Sequence, residues 1–129
     1  MLAVDTNLIV RYLTRDHPGQ TATARALIDG NDVFVCTTVL METEWVLRSV
    51  YGLAPLRIVD ALTAFAGLPR VILENPAAAA KALDWMAKGM DFADALHLAT
   101  MPNCDAFVSF DKAFVKTANA LRDLRVRAP

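Results

Sequence analysis

Cysteine is scarce in this sequence, and its scarcity limits the kinds of site the chain can carry. Only Cys36 and Cys104 are present, both in apolar surroundings, and no CxxC spacing occurs. Two cysteines cannot form a zinc site unless histidines are placed nearby. We therefore expect both residues to be buried free thiols in a reducing cytoplasm.

Long apolar runs are also missing. No positive charge precedes an apolar stretch at the amino terminus, and no segment approaches the roughly 20 apolar residues that span a bilayer. These absences predict neither an export signal nor a membrane anchor. We therefore expect a cytoplasmic protein that does not bind a membrane.

The chain carries little net charge. Its 13 lysines and arginines nearly balance its 14 aspartates and glutamates, which leaves a formal charge of −1. This balance excludes the strong basicity of a protein that coats nucleic acid. It does not exclude a nuclease, because carboxylates that hold metal ions offset the cations that contact phosphate.

Apolar residues, in contrast, are abundant and make up 55% of the 129 residues. This length is typical of one domain with one core, so we expect a single domain over residues 1–129, without repeats or linkers. The apolar fraction is high for so small a protein. We therefore expect some of the apolar surface to be covered by a partner chain in an oligomer.

Short β-branched and aromatic runs alternate with helical patterns along the chain. Strands are predicted at residues 2–4, 32–36, 70–73, 106–110 and 124–126. Helices are predicted at residues 7–13, 21–28, 38–50, 55–65, 76–89, 92–101 and 112–121, with Pro18 and Gly19 interrupting the pattern between the first two. Strands separated by helices imply right-handed crossovers. The expected fold class is α/β, with three layers (α/β/α) and a central, mostly parallel sheet of four to five strands.

Asp5 and Asp111 each directly follow a predicted strand. In an open parallel sheet, ligands bind outside the carboxyl ends of the strands, so both residues are candidates for one site. The alternative is that each aspartate caps the next helix by accepting a hydrogen bond from an amide of its first turn. The same alternative applies to Asp91, which precedes the helix that begins at Phe92.

Asp94 lies inside an otherwise apolar helix, between Ala93 and Ala95. A carboxylate that is buried there without a partner costs on the order of several kcal/mol. Asp94 therefore needs solvent, a cationic partner or a metal ion. The simplest partner is His97, which lies three residues further on and shares its helical face.

Glu42 and Glu44 lie on one predicted helix, about 200° apart around its axis, so they cannot both face one site. One of them is expected to be solvated, and the helical pattern does not choose between them. Together with the aspartates, a glutamate here would complete a ring of carboxylate oxygens. Such a ring suits Mg²⁺ or Mn²⁺ and phosphodiester hydrolysis, and no HExxH pattern competes with it.

Four motifs of the sequence are similar to those of a known family. They are Val4-Asp5-Thr6-Asn7, the segment of residues 39–48 around Glu42, the segment of residues 91–97 around Asp94, and Val108-Ser109-Phe110-Asp111. In this order and spacing they resemble the PIN-domain family, and most closely the VapC-type toxins of bacterial toxin–antitoxin modules. The resemblance covers the whole chain.

The resemblance implies a metal site and assigns its residues. The quartet that would bind the metal is Asp5, Glu42, Asp94 and Asp111, so the resemblance selects Glu42 over Glu44. Asp91 is then a fifth member of the site or a helix cap. Thr6, Asn7 and Ser109 match polar positions that orient carboxylates or water.

The resemblance also implies an activity and partners. The expected activity is that of an endoribonuclease that uses Mg²⁺ or Mn²⁺ to cleave RNA such as transfer or ribosomal RNA. A metal-activated water would be the nucleophile, so His17 and His97 would be dispensable. The partners are a cognate antitoxin, a second copy of the chain in a homodimer, and promoter DNA only through the antitoxin.

Two further sets of residues are candidates for binding. Basic residues close in sequence to the acids are expected to contact phosphate, or else to be solvated surface charges: Arg11, Arg15, Arg48, Lys112 and Lys116. Apolar residues of the first helices are candidates for an antitoxin groove, although core packing is the alternative: Leu8, Tyr12 and Leu27.

Two other functions compete with the nuclease. In the first, the chain acts chiefly as the partner of a DNA-binding antitoxin and tunes repression with little cleavage; the intact quartet argues against this. In the second, it is a response-regulator receiver or a phosphatase of the haloacid dehalogenase type. A receiver needs an acidic pair after the first strand, and such a phosphatase needs Asp-x-Asp. Asp5-Thr6-Asn7 supplies neither.

Overall fold

Seven helices and five short strands make up the computed structural model, which describes residues 1–129. The α/β class predicted from the sequence is confirmed. The chain divides into two units, Met1–Pro76 and Ala77–Pro129. The expectation of a single domain over residues 1–129 stays a prediction.

The first unit contains a parallel sheet with two helices after each of its first two strands. Its elements are β1 (Leu2–Ala3), α1 (Thr6–Leu13), α2 (Pro18–Gly30), β2 (Val33–Val35), α3 (Thr37–Ser49), α4 (Pro55–Ala66) and β3 (Val71–Leu73). The strand order is β1-β2-β3, with Leu2 opposite Val33 and Val33 opposite Val71. Asp5 follows β1 and therefore lies at its carboxyl end, as predicted. Because the three strands are parallel, this is the carboxyl edge of the whole sheet.

The second unit contains two helices, a strand, a third helix and a last strand. Its elements are α5 (Pro76–Ala87), α6 (Phe92–Thr100), β4 (Phe107–Val108), α7 (Lys112–Ala120) and β5 (Val126–Arg127). The strands β4 and β5 form a parallel pair in which Phe107 lies opposite Val126.

Two glycines end helices at positive φ, where side chains are strained: Gly52 (φ 63°) after α3 and Gly89 (φ 106°) after α5.

The rotation of α3 decides which of its two glutamates faces outward. The buried face of this helix is Leu40, Thr43, Glu44 and Leu47, at the spacing of one helical face. Glu44 is only 1% exposed, while Glu42 on the other side is exposed. The solvated glutamate expected from helical geometry is therefore Glu42.

A hydrogen-bonded ion pair compensates the buried charge of Glu44. Arg48, one turn further along α3, donates from Nε to Glu44 Oε2 at 2.9 Å and from Nη2 to Oε1 at 3.3 Å. Since a buried carboxylate without partners is costly, this pair allows α3 to bury an acid and so fixes the helix's rotation.

Several predicted boundaries differ from the structure. The predicted strands form two sheets, of three and two strands, rather than one sheet of four to five. Pro18 and Gly19 do not interrupt the helical pattern but form the first turn of α2, where proline loses no hydrogen bond. Cys104 is exposed and Cys36 half-buried, so the prediction of buried thiols was wrong, although both are free.

The longest helices of the protein have 13 residues. None of the seven is both long and apolar enough to cross a bilayer.

The ion pair of α3 makes a testable prediction. Replacing Arg48 with Met leaves the Glu44 carboxylate buried with less compensation, and we expect the free energy of unfolding to fall by about 1–3 kcal/mol. Urea denaturation followed by circular dichroism measures it. The double variant Glu44→Gln with Arg48→Met is the control and should recover part of the loss. An Arg48→Met chain as stable as wild type would contradict the assigned role of the pair.

Candidate metal centre

Asp5 caps the helix that follows β1. Its side chain accepts a hydrogen bond from the backbone amide of Leu8 at 3.2 Å through Oδ1. The capping alternative is therefore correct for Asp5. It does not exclude a second role, because the bond uses one carboxylate oxygen and the residue is exposed.

Thr6 connects the start of α1 to Glu42 on α3. Thr6 is 5% exposed, and its hydroxyl Oγ1 donates a hydrogen bond to Glu42 Oε1. The buried hydroxyl orients one face of an otherwise exposed carboxylate. Within the first unit, Glu42 is thus hydrogen-bonded to Thr6, the residue that follows Asp5. Glu44 is instead buried and pairs with Arg48.

A cavity of about 470 Å³ adjoins Asp5 within the first unit, and its walls come from α1 and α2. Asn7 and Leu8 line it, and the Asn7 side chain makes no hydrogen bond to the protein. Arg11 also lines it and is held by α2, since its Nε donates to Gln20 Oε1 at 2.7 Å. Arg11 is therefore a fixed cation in the wall of a cavity that contains a candidate metal ligand.

The Arg11 guanidinium has a further set of partners at the end of α3. Its Nη1 donates to Tyr51 Oη at 2.9 Å, and the Tyr51 hydroxyl donates to Asp16 Oδ2 at 2.9 Å. The hydrogen bond from Tyr51 is the largest cause of a lowered pKa of Asp16, and one from Thr14 lowers this pKa further. The sequence analysis missed this network, because no periodicity links Arg11 to a residue 40 positions away.

In the second unit, Asp91 caps α6. Its Oδ2 accepts a hydrogen bond from the backbone amide of Asp94 at 3.1 Å. Asp94 therefore lies in the first turn of α6 rather than deep inside the helix, and it is half-buried. Here too the capping alternative is correct, and it places two aspartates at the amino end of one helix.

The carboxyl group of Asp94 has a raised pKa. Partial burial is the largest cause, and the negative charges of Asp91 and Asp111 raise the pKa further. The positive charge of His97 acts in the opposite direction, so the expected Asp94–His97 interaction is present as an electrostatic effect, without a hydrogen bond or ion pair. Partial burial and the charges of two neighbouring aspartates together disfavour the ionised form of Asp94.

Asp111 caps α7 and is held in place by a serine. Its Oδ1 accepts a hydrogen bond from the backbone amide of Phe114 at 3.0 Å, and its own amide donates to Ser109 Oγ at 3.0 Å. The predicted strand 106–110 is shorter in the structure, Phe107–Val108, and the chain bends at Phe110. Ser109 therefore positions the backbone of Asp111 rather than its carboxylate.

The other basic residues predicted to contact phosphate are held differently. Arg48 forms an ion pair with Glu44 and so compensates the buried charge of that residue. Arg15, Lys112 and Lys116 are exposed and make no ion pair. These three match the alternative of solvated surface charge and leave their charges available to an anion.

The donor atoms suit a hard divalent cation, since they are carboxylate oxygens supported by hydroxyl groups. As the side chains stand, no set of three or more His, Cys, Asp or Glu residues is close enough together to hold a metal ion. The four-carboxylate metal site itself stays a prediction.

The crowding of charge around Asp94 makes a prediction about stability and pH. A raised pKa means that the folded state favours protonated Asp94, so the associated stability is present below the ordinary value of 3.8 and is lost as the pH rises through the raised value. At pH 7 without divalent ions, Asp94→Asn should therefore be more stable than wild type, by up to about 1 kcal/mol for a half-exposed group.

Thermal unfolding of both chains in EDTA, between pH 3 and pH 8, measures this difference. The two chains should converge below pH 3.8 and separate above it. Asp84→Asn is a matched control, because Asp84 is exposed and pairs with Lys88 at 3.2 Å, so its loss should not stabilise. An Asp94→Asn chain less stable than wild type at pH 7 would contradict the proposed repulsion.

Comparison with known proteins identifies the family. A family model described as PIN domain matches residues 2–120, which include residues of both units. None of the curated proteins compared with the chain matches it. PIN domains have an α/β/α fold and are in general metal-dependent nucleases that usually need divalent ions. Since the match spans most of its 129 residues, the chain belongs to the PIN domain family.

Proposed function

We propose that the chain is an endoribonuclease that hydrolyses phosphodiester bonds of RNA with Mg²⁺ or Mn²⁺. The observation that carries this proposal is the concentration of negative charge around Asp94, in a chain whose family consists in general of metal-dependent nucleases. A divalent cation would relieve that repulsion.

The proposed ligands are Asp5 and Glu42 of the first unit and Asp94 and Asp111 of the second, with Asp91 as a cap that adds negative charge. Bound divalent ions would supply an activated water and neutralise charge that develops on the phosphate. The chain's own residues prepare the ligands. Thr6 orients Glu42 by its hydrogen bond, and Ser109 fixes the backbone of Asp111.

Capping by Asp5, Asp91 and Asp111 is compatible with binding a metal. Each cap bond holds the aspartate at the start of a helix, and those of Asp5 and Asp111 each use a single carboxylate oxygen. A ligand whose rotamer is already fixed loses less side-chain entropy when the ion binds. The capping bonds thus prepare the aspartates for coordination.

We further propose that the nuclease is a VapC-type toxin of the cytoplasm that cleaves transfer or ribosomal RNA. Its partners would be a cognate antitoxin and a second copy of the chain, with promoter DNA bound only through the antitoxin. Of the apolar residues suggested for the antitoxin groove, Leu8 lines the cavity beside Asp5. Tyr12 is engaged in the fold, since its ring packs edge-on against Phe65 at 5.7 Å.

RNA cleavage by the purified chain tests the nuclease proposal. With Mg²⁺ or Mn²⁺, we expect wild type to cut RNA, and Asp5→Ala or Asp94→Asn to lower the rate by more than about 100-fold. Loss of a ligand should exceed the roughly 10–100-fold effect of losing a supporting group. The control is Asp60→Asn, which removes an exposed acid of α4 and should retain activity.

Two results would contradict these proposals. Equal inactivity of wild type and variants over a broad RNA panel would contradict the nuclease and favour a partner that tunes repression through an antitoxin. Cleavage without any neighbouring short gene that encodes a DNA-binding fold with an extended tail would contradict the toxin assignment and favour a solitary nuclease.

A further inference from the structure

Phe110 is the most exposed of the large apolar side chains. It is 89% exposed and directly precedes Asp111, whereas the nearby aromatic residues Phe107 and Phe114 pack on each other at 5.3 Å. Leaving an aromatic ring in water is unfavourable, and this segment has two other aromatic rings that it keeps packed. The exposed ring is therefore a candidate contact for a ligand.

The backbone around Phe110 is held on both sides. The amide of Ser109 donates to the carbonyl of Arg127 at 3.0 Å, which extends the β4–β5 pairing to the residue before Phe110. On the other side, the Asp111 amide donates to Ser109 Oγ at 3.0 Å, and Asp111 caps α7. The backbone on both sides of Phe110 is thus held by hydrogen bonds, and the exposed ring extends from this segment.

The surroundings of Phe110 suit a nucleic acid better than a protein. Val108, 47% exposed, is its only exposed large apolar neighbour in this strand and turn. Two such side chains are far short of the roughly 800 Å² that each partner buries in a stable protein interface. Lys112 is exposed without an ion pair, and exposed Arg127 makes its side-chain hydrogen bond only to the Ala128 carbonyl. These cations favour phosphate.

We propose that the Phe110 ring is a stacking site for an unpaired base of the RNA substrate. An aromatic ring binds the face of any base, and neighbouring cations contact the backbone of the strand. Because Phe110 directly precedes Asp111, a base that stacks on the ring would lie near a proposed metal ligand. This inference rests on the proposed ribonuclease function and assigns to Phe110 a role in positioning the substrate of that site.

Fluorescence of a short single-stranded oligoribonucleotide that contains 2-aminopurine tests the inference. Binding is measured with the full chain carrying Asp94→Asn in Mg²⁺, so that the RNA stays intact. We expect binding to quench the 2-aminopurine through stacking. Phe110→Leu should abolish the quenching and weaken binding by about 5- to 150-fold, which corresponds to the loss of one base–aromatic stack.

Two variants separate stacking from other effects. Phe110→Tyr keeps the aromatic face and should retain quenching, with affinity within about threefold of the parent chain. Leu124→Ser changes another apolar side chain of the second unit, 77% exposed, and should leave both readouts unchanged. Thermal unfolding of each variant confirms that the chain is folded.

The outcomes distinguish this inference from the proposed function. If wild type cleaves RNA but Phe110→Leu binds and quenches like its parent, the stacking site is wrong and the nuclease stands. If Phe110→Leu instead lowers self-association in sedimentation and leaves RNA affinity unchanged, the ring is a protein contact and the inference is also wrong. Quenching by Phe110 in a chain that never cuts RNA would support stacking and contradict the nuclease.

Discussion

Three helices of this protein begin at an aspartate whose carboxylate accepts a hydrogen bond from a backbone amide of the first turn. Asp5 does so for α1, Asp91 for α6 and Asp111 for α7. The capping bond satisfies an amide that has no partner within the helix, and the charge is favourable at the positive end of the helix dipole. The same bond therefore stabilises the helix and holds a carboxylate at the start of that helix.

Capping and metal binding are thus complementary explanations of these acids. A cap alone would be served as well by serine or asparagine, neither of which carries charge. In the second unit, Asp94 adds a carboxylate that caps nothing. Its pKa is raised by partial burial and, in addition, by the negative charges of the two caps, Asp91 and Asp111. A divalent cation would offset this local repulsion. The capping aspartates at the helix starts would thus take part in the proposed metal binding.

Much of the fold could be predicted from sequence because its elements are local. The strand before Asp5 and the helix at Phe92 were predicted to within about two residues, from apolar runs and caps. The division of the strands between two sheets could not be predicted, since pairing depends on contacts distant in sequence. The helical start at Pro18 differs from the prediction because proline, which breaks a helix in its interior, is favoured in the first turn.

The candidate site was predictable to a different degree. Helical geometry established that only one of Glu42 and Glu44 could face a site, but the pattern did not choose between them. The i,i+4 spacing of Glu44 and Arg48 was a signal for a buried pair that could have made the choice. The exposure of Phe110 carried no signal, since an aromatic residue between a strand and a helix is expected in a core.

We propose that Asp5, Glu42, Asp94 and Asp111 bind the same divalent ions. Titration of Mn²⁺ followed by electron paramagnetic resonance measures this most directly, on wild type, Asp5→Asn, Asp94→Asn and the double variant. Ligands of one site are coupled, so each single variant should lose most of the Mn²⁺ affinity and the double variant should lose little more. Losses that simply add, with each single variant retaining a separate class of unchanged sites, would contradict the account.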